Sequence, residues 1–304
     1  MQRISLTICH YSAKNPLVHT GGVETFARSL SRIFERVIYL TPNETRHLSE
    51  ILRKGIPVVC DNHHCLTIPA HYPVIAFQHG IAKVKHSVTK KSFDRHLAIL
   101  QQKAASRRNT IWVSCAKWIS DAFEVLHGNK AYDVIYHPID IERFTPNPKR
   151  TEGNLILHDA RTKHKGAREV QFLSRQFPQY RFEALNCIPA DVPERFQQAT
   201  AFLHLSKYEG NSIVCNEAMA MNLPCFFNEV GLFQDDFLFD VYLRRDHAKL
   251  FWKSSLKKDF RNFSQTLFQR NYNPRRWILE NATYEIARGK WKRVVDHFMQ
   301  TFQR

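Results

Sequence analysis

The sequence predicts an α/β protein built from two doubly wound, Rossmann-like domains. Three observations point there. The 304 residues suffice for two domains of about 150 residues, each with its own core. The first half alternates short apolar runs with amphipathic helical patterns, as parallel sheets joined by helices do. The second half repeats a strand–turn–helix passage, once around LILH and again around AFLHLS.

In the first half, RISLTICHY reads as the opening strand, Thr20-Gly21-Gly22 as a turn, and VETFARSLSRIF as a helix with Phe26, Leu30, Ile33 and Phe34 on one face. Further strands are expected at RVIYL, PVVC, PVIAF and TIWVS. Gln78-His79-Gly80 follows PVIAF, which sets His79 at the carboxyl end of a parallel strand, where open α/β sheets bind ligands. NPKRTEGN, Asn147 to Asn154, is polar and turn-rich and reads as the linker.

After the linker, LILH leads into DARTKHKG, where Arg161 and Lys165 precede Gly166 and a helix. The most informative stretch is SKYEGNSIVCNEAMAMNLP, from Ser206 to Pro224. Gly210, Asn211 and Ser212 supply a turn and an N-cap between the buried strand AFLHLS and a helix that opens at Ile213. Backbone N–H groups and the positive end of a helix dipole then converge where a diphosphate could bind. Glu209 and Glu217 bracket this point, with Glu217 within reach of ribose hydroxyls. Near the C-terminus ARGKWKRVVDHFMQTF places Trp291, Val294, Val295, Phe298, Met299 and Phe302 at helical spacing. Phe251, Trp252, Leu256, Phe260 and Phe263 form another stripe, read as core in preference to a membrane-surface face.

Net charge is +16. Residues 1–150 hold 21 Lys and Arg against 11 Asp and Glu, a net of +10, whereas residues 151–304 hold 23 against 17, a net of +6. Lys83, Lys85, Lys90, Lys91, Arg95, Lys103, Arg107 and Arg108 face only Asp94 in their stretch. Such a run suits an anionic partner: a phosphorylated glycolipid, an acidic membrane surface or nucleic acid. The seven cysteines include no Cys-x-x-Cys pair and are expected as buried free thiols. Cys60-Asp-Asn-His63-His64-Cys65 crowds four possible zinc ligands into six residues, too tightly for a tetrahedral site, and no metal is expected. No stretch approaches the roughly 20 apolar residues of a membrane span, and MQRISLTICHYSAKNP lacks the apolar core of a signal peptide, so a cytoplasmic location is expected.

The string EGNSIVCNEAMAMNLPCF resembles the Glu-x7-Glu signature of retaining nucleotide-sugar glycosyltransferases of the GT-B fold, especially glycosyltransferase family 4. Gly21-Gly22-x-Glu24 and His79-Gly80 match other elements of these enzymes. VIYHPIDIERFTP resembles their interdomain segment through Asp140, Phe144 and Pro146, with His137-Pro138 in place of Asn-Gly. Arg161 to Gly166 resembles their Gly-Arg-x5-Lys-Gly element, with Ala160 at the glycine and one residue fewer in the gap.

The resemblance implies two Rossmann-like domains facing a cleft: an acceptor domain at 1–146, a donor domain at 147–280, and a C-terminal helix at 281–304 that crosses back to the first. It implies transfer of a sugar, with configuration retained, from a nucleoside-diphosphate sugar, with UDP-sugar the expected donor. His79, Glu209, Arg161 and Lys165 would act in catalysis. Gly21, Gly22, Arg161, Lys165, Gly210, Asn211, Ser212, Ile213 and Glu217 would bind the donor, with cationic groups replacing a metal and no cofactor needed. The acceptor side would use His63, His64, Lys83, Lys85, Lys90, Lys91 and Arg95.

A cell-envelope glycan or glycolipid such as lipopolysaccharide is the expected acceptor, with the enzyme peripheral at the inner face of the membrane. Dispersed aromatics disfavour the alternative, phage-type glycosylation of hydroxymethylated pyrimidines in DNA. A rival of another class is a non-catalytic basic module that binds nucleic acid.

Overall fold

The computed structural model describes residues 2–147, 153–235, 239–245 and 252–302. The chain divides into two compact units, Met1–Pro138 with Tyr284–Arg304, and Ile139–Thr283.

In the first unit, β1 (Ile4–Tyr11), β2 (Phe34–Leu40), β3 (Val58–Asp61), β4 (Val74–Gln78), β5 (Thr110–Ser114) and β6 (Asp133–Val134) form one sheet in the order β2-β1-β3-β4-β5-β6. Every pairing is parallel. Its helices are α1 (Gly22–Ile33), α2 (Thr45–Arg53), α3 (Ala82–Thr89), α4 (Ser92–Ala105) and α5 (Lys117–His127). β3 and β4 are buried at every position, which is why they read as unbroken apolar runs. Helix α1 buries Phe26, Ala27, Leu30 and Ile33 on one face.

The second unit repeats the plan with β7 (Leu155–His158), β8 (Arg181–Ala184), β9 (Ala201–His204), β10 (Cys225–Asn228) and β11 (Tyr242–Arg244) in the order β8-β7-β9-β10-β11, again all parallel. Helices α6 (Ala167–Gln176), α7 (Val192–Gln198), α8 (Ile213–Ala220), α9 (Trp252–Thr266) and α10 (Arg275–Asn281) accompany it. Leu256, Phe260 and Phe263 of α9 lie in the core with Leu203, Leu205 and Phe226, so that stripe is packing; Phe251 lies outside the described residues.

Helix α11 (Tyr284–Phe302) belongs to the first unit. Its Trp291 is fully buried with Phe26, Phe34 and Phe77, at ring separations of 6.4, 5.8 and 5.8 Å. Val294, Val295 and Phe298 are buried beside it, while Met299 is only partly so.

The units divide at Pro138/Ile139 and Thr283/Tyr284, whereas the sequence reading set its boundaries after residues 146 and 280. The cause is local. Ile139 N–H donates to Ala282 O at 2.8 Å, and Arg275 donates to Ile141 O at 3.0 Å and Phe144 O at 2.6 Å, which ties 139–144 to α10. VIYHPIDIERFTP therefore straddles the boundary. Of the expected linker, residues 148–152 lie outside the described ones.

Candidate functional site

Each sheet has a point where neighbouring strands are connected in opposite directions, between β1 and β3 and between β7 and β9. In doubly wound sheets ligands bind outside the carboxyl ends of such strands. Both points carry a cluster of charged side chains.

At the first, Asp61 ends β3 and is buried. Its Oδ1 faces His10 Nε2 at 3.2 Å and His79 Nε2 at 2.8 Å. His79 backbone N–H donates to Asn62 Oδ1 at 2.9 Å, so both ring and backbone of His79 are fixed. Burial alone would favour a neutral Asp61, but His10 and His79 hold its carboxyl well below the usual carboxylate range. His137 stacks on His79 with ring centroids 5.5 Å apart. Burial, and then the neighbouring His79, keeps His137 neutral, its pKa well below the ordinary value.

The other expected residues of this unit lie apart from that cluster or at its rim. Gly21 precedes α1 and Gly22 opens it. His63 and His64 lie in a 3-10 turn, Asn62–Thr67, with rings 4.5 Å apart. Burial, then His64 and His96, push His63 down to about 4. Lys83 and Lys85 lie on α3, Lys90 and Lys91 in the turn that follows, and Arg95 on α4. Lys85 Nζ is 3.2 Å from Asp94 Oδ1, which gives this lysine an internal anion. Exposed Val88 (38%), Phe93 (65%) and Ile99 (47%) share the two helices with these cations.

At the second switch point, Asp159 follows β7 and His204 ends β9. His204 Nδ1 lies 2.7 Å from Asp159 Oδ1, and Nε2 lies 3.4 Å from Glu209 Oε1 at ion-pair distance without hydrogen-bond geometry. Lys165 projects from the turn Lys163–Lys165, pairs directly with Glu209 and stands 3.7 Å from Asp159 Oδ2. Burial works against charge on all four groups. Nonetheless His204 and then Lys165 hold Glu209 down at about 2, and Glu209 and then Asp159 raise Lys165 above its ordinary value. Arg161 donates from Nη2 to Leu185 O at 2.7 Å, which ties its guanidinium to the loop after β8.

Helix α8 starts at Ile213 with Ser212 at its N-cap, as the sequence predicts, but the Ser212 hydroxyl makes no cap hydrogen bond. Asn211 Oδ1 accepts from Asn216 Nδ2 at 2.9 Å, stitching the Gly210–Ser212 turn to the helix. Glu217, in the middle of α8, has no side-chain ion pair or hydrogen bond among the described residues. Burial pushes its carboxyl up to about 7, opposed only by the charge of Arg143.

Lys165, Glu209 and Glu217 share this half with Asp159 and His204, which the sequence motifs do not mark, and in the first unit the motifs likewise leave Asp61 and His10 unmarked. Their signal was present as polar residues closing apolar runs: LILH-Asp159, AFLHis204 and VVC-Asp61. All seven cysteines are free, and all but Cys187 are buried. Among the described residues no three His, Cys, Asp or Glu side chains are grouped to hold a metal, and no helix is long and apolar enough to cross a membrane.

No protein-family model matches the chain, and no curated protein matches it. Solved structures do. A sucrose-phosphate synthase from Thermosynechococcus elongatus is 12% identical, covers 97% of this chain and 99% of its own, and has a TM-score of 0.75. Anabaena HepE in complex with UDP is 13% identical, with 96% and 100% covered and a TM-score of 0.71. The fold is GT-B. A glycosyltransferase from Rickettsia africae extends the likeness at 11% identity, with 98% and 99% covered and a TM-score of 0.68. The GT-B assignment thus spans both sheets and matches the fold expected from the sequence.

Proposed function

We propose that this GT-B chain is a retaining glycosyltransferase of the Glu-x7-Glu type that transfers a sugar from a nucleoside-diphosphate sugar to a hydroxyl of an anionic acceptor. The observation that carries the reading is Glu217: a partly buried carboxyl without a side-chain partner among the described residues, beside an α8 start that lacks a side-chain cap. Burying an unpaired carboxyl is unfavourable, and hydroxyl donors from a ribose would relieve it. The backbone N–H groups at Ile213 and the cation of Lys165 are suited to the diphosphate, whose charge grows as the bond to the sugar breaks. The UDP bound by HepE supports UDP as the nucleotide.

In this reading Lys165, Arg161, Gly210, Asn211, Ser212, Ile213 and Glu217 serve the donor, Glu209 supports the sugar-phosphate side, and His79, fixed by Asp61, serves the sugar or acceptor. The acceptor we favour is an anionic glycan or glycolipid. Its support is the pairing of Lys83, Lys90, Lys91 and Arg95 with exposed Val88, Phe93 and Ile99, since apolar side chains among cations suit a headgroup–acyl boundary better than a nucleic-acid backbone.

The test is binding and slow hydrolysis of UDP-, GDP-, ADP- and TDP-sugars by the wild type and Glu217→Ala, followed by an acceptor screen of anionic glycolipids and hydroxymethylated DNA. The expected result is selective binding by the wild type that falls by at least about tenfold in the variant, the loss of one or two hydrogen bonds to a charged group. Undiminished turnover by Glu217→Ala would overturn the assignment, and failure of every donor would favour a non-catalytic module.

A further inference from the structure

We propose that His204 is a positioning residue, a second buried cation that holds Asp159 and Glu209 in place when Lys165 turns from them to the diphosphate of a donor. The proposal rests on the reading of the second unit as the donor-binding half.

Two carboxylates meet two cations here. Asp159 and Glu209 lie 2.7 and 3.4 Å from the two ring nitrogens of His204, and Lys165 reaches both carboxylates as well. The two cations differ in freedom. His204 is fixed in strand β9 and its side chain is fully buried, whereas the Lys165 side chain is 29% exposed and stands on a three-residue turn. A bound diphosphate would draw the mobile cation. If Lys165 were the sole counter-charge, its departure would strand two buried anions, the arrangement that most strongly penalises a buried ion pair. His204 prevents that. Its Nδ1 already bonds Asp159, and its Nε2 stands 3.4 Å from Glu209 Oε1, outside good hydrogen-bond geometry while Lys165 holds that oxygen, so the Nε2–H contact to Glu209 can tighten once Lys165 leaves.

The groups facing the imidazole are Asp159 after β7, Glu209 after β9, Cys215 from α8 and the Phe227 ring of β10, edge-on at 6.0 Å, with Lys165 before α6 paired to both carboxylates. Burial alone would leave His204 neutral, but Asp159 above all keeps its pKa well above the ordinary value.

The experiment is an NMR titration of the imidazole in the wild-type chain, with and without UDP, together with calorimetric UDP binding by wild type and His204→Gln. His204 is expected to remain a cation at pH 8 in both states. Its Nε2 proton should move downfield when UDP binds, as the contact to Glu209 tightens. His204→Gln should bind UDP about tenfold or more weakly, because Lys165 is then needed by the carboxylates. A neutral His204 at pH 7, an Nε2 proton indifferent to UDP, or equal affinity in His204→Gln would each overturn the proposal while leaving the donor reading intact. If UDP, GDP, ADP and TDP all fail to bind the wild type, the donor reading falls and the proposal with it. The titration needs only the wild-type chain, so it decides the matter even if His204→Gln does not fold.

Discussion

Glu209 and Glu217 lie in opposite electrostatic surroundings. Glu209 has two cations against it and is held at about 2, so its ionised form contributes stability above the ordinary carboxylate pKa of 4.5, which is lost as pH falls through 2. Glu217 has burial with little to offset it and is pushed up to about 7. Its folded form binds a proton more tightly than the unfolded chain does. Stability is therefore fullest below about 4.5 and declines as pH rises through 7. We expect Glu217→Gln to melt above the wild type at pH 8 by a margin on the order of 2 kcal/mol, and to show much less advantage at pH 4.5. Calorimetric melting at the two pH values checks this, and a pH-independent difference would refute it. The spacing of the two glutamates was legible in the sequence. Their opposite pKa shifts were not, because these depend on His204 and Lys165 reaching one of them through the fold.

At the scale of elements, the turn between β7 and α6 shows why a basic loop could be read as a phosphate element but not placed in detail. Gly166 adopts φ +88°, and a Cβ there would lie 2.5 Å from Leu205 Cβ and 2.6 Å from Leu205 O, just beyond β9. Glycine is what lets Lys165 stand against Glu209. Gly128, which ends α5 at φ +74°, has open space around the same position. The two substitutions to alanine should separate conformational strain from collision. Gly128→Ala should lose about 1 kcal/mol. Gly166→Ala should lose that plus a further 1–3 kcal/mol or so from the clash, and weaken nucleotide binding as Lys165 shifts. Urea denaturation of both variants measures the gap, and equal losses would contradict the packing described. The strands were legible because parallel strands buried on both faces write themselves as apolar runs, and β1, β3, β4, β5, β7 and β9 fall within a residue or two of expectation. β6, β8 and β11 carry no strand signal in the sequence; β6 is only two residues long, and the exposed and partly exposed positions of β8 dilute its apolar pattern.

On the scale of the molecule, the first unit is discontinuous, and Trp291 of α11 sits at its centre against Phe26, Phe34 and Phe77. Trp291→Ala should destabilise that unit by about 3–5 kcal/mol, the range for deleting a large buried aromatic. Hydrogen exchange should then show protection lost across β1, β3, β4 and β5 and kept in β7, β9 and β10; uniform loss over both sheets would argue against separate cores. The sequence announced α11 through its helical spacing, but only the fold shows which residues it completes.

That arrangement also sets an order for the newborn chain. As a ribosome makes this protein, β1 to β5 emerge first, yet the aromatic face around Phe26 and Phe77 stays uncovered until Trp291 follows. At ordinary rates of synthesis the intervening unit takes on the order of ten seconds to appear, time enough for its own sheet to close. The half made second is thus expected to fold first, while the half made first waits with a greasy surface that a chaperone would have reason to hold.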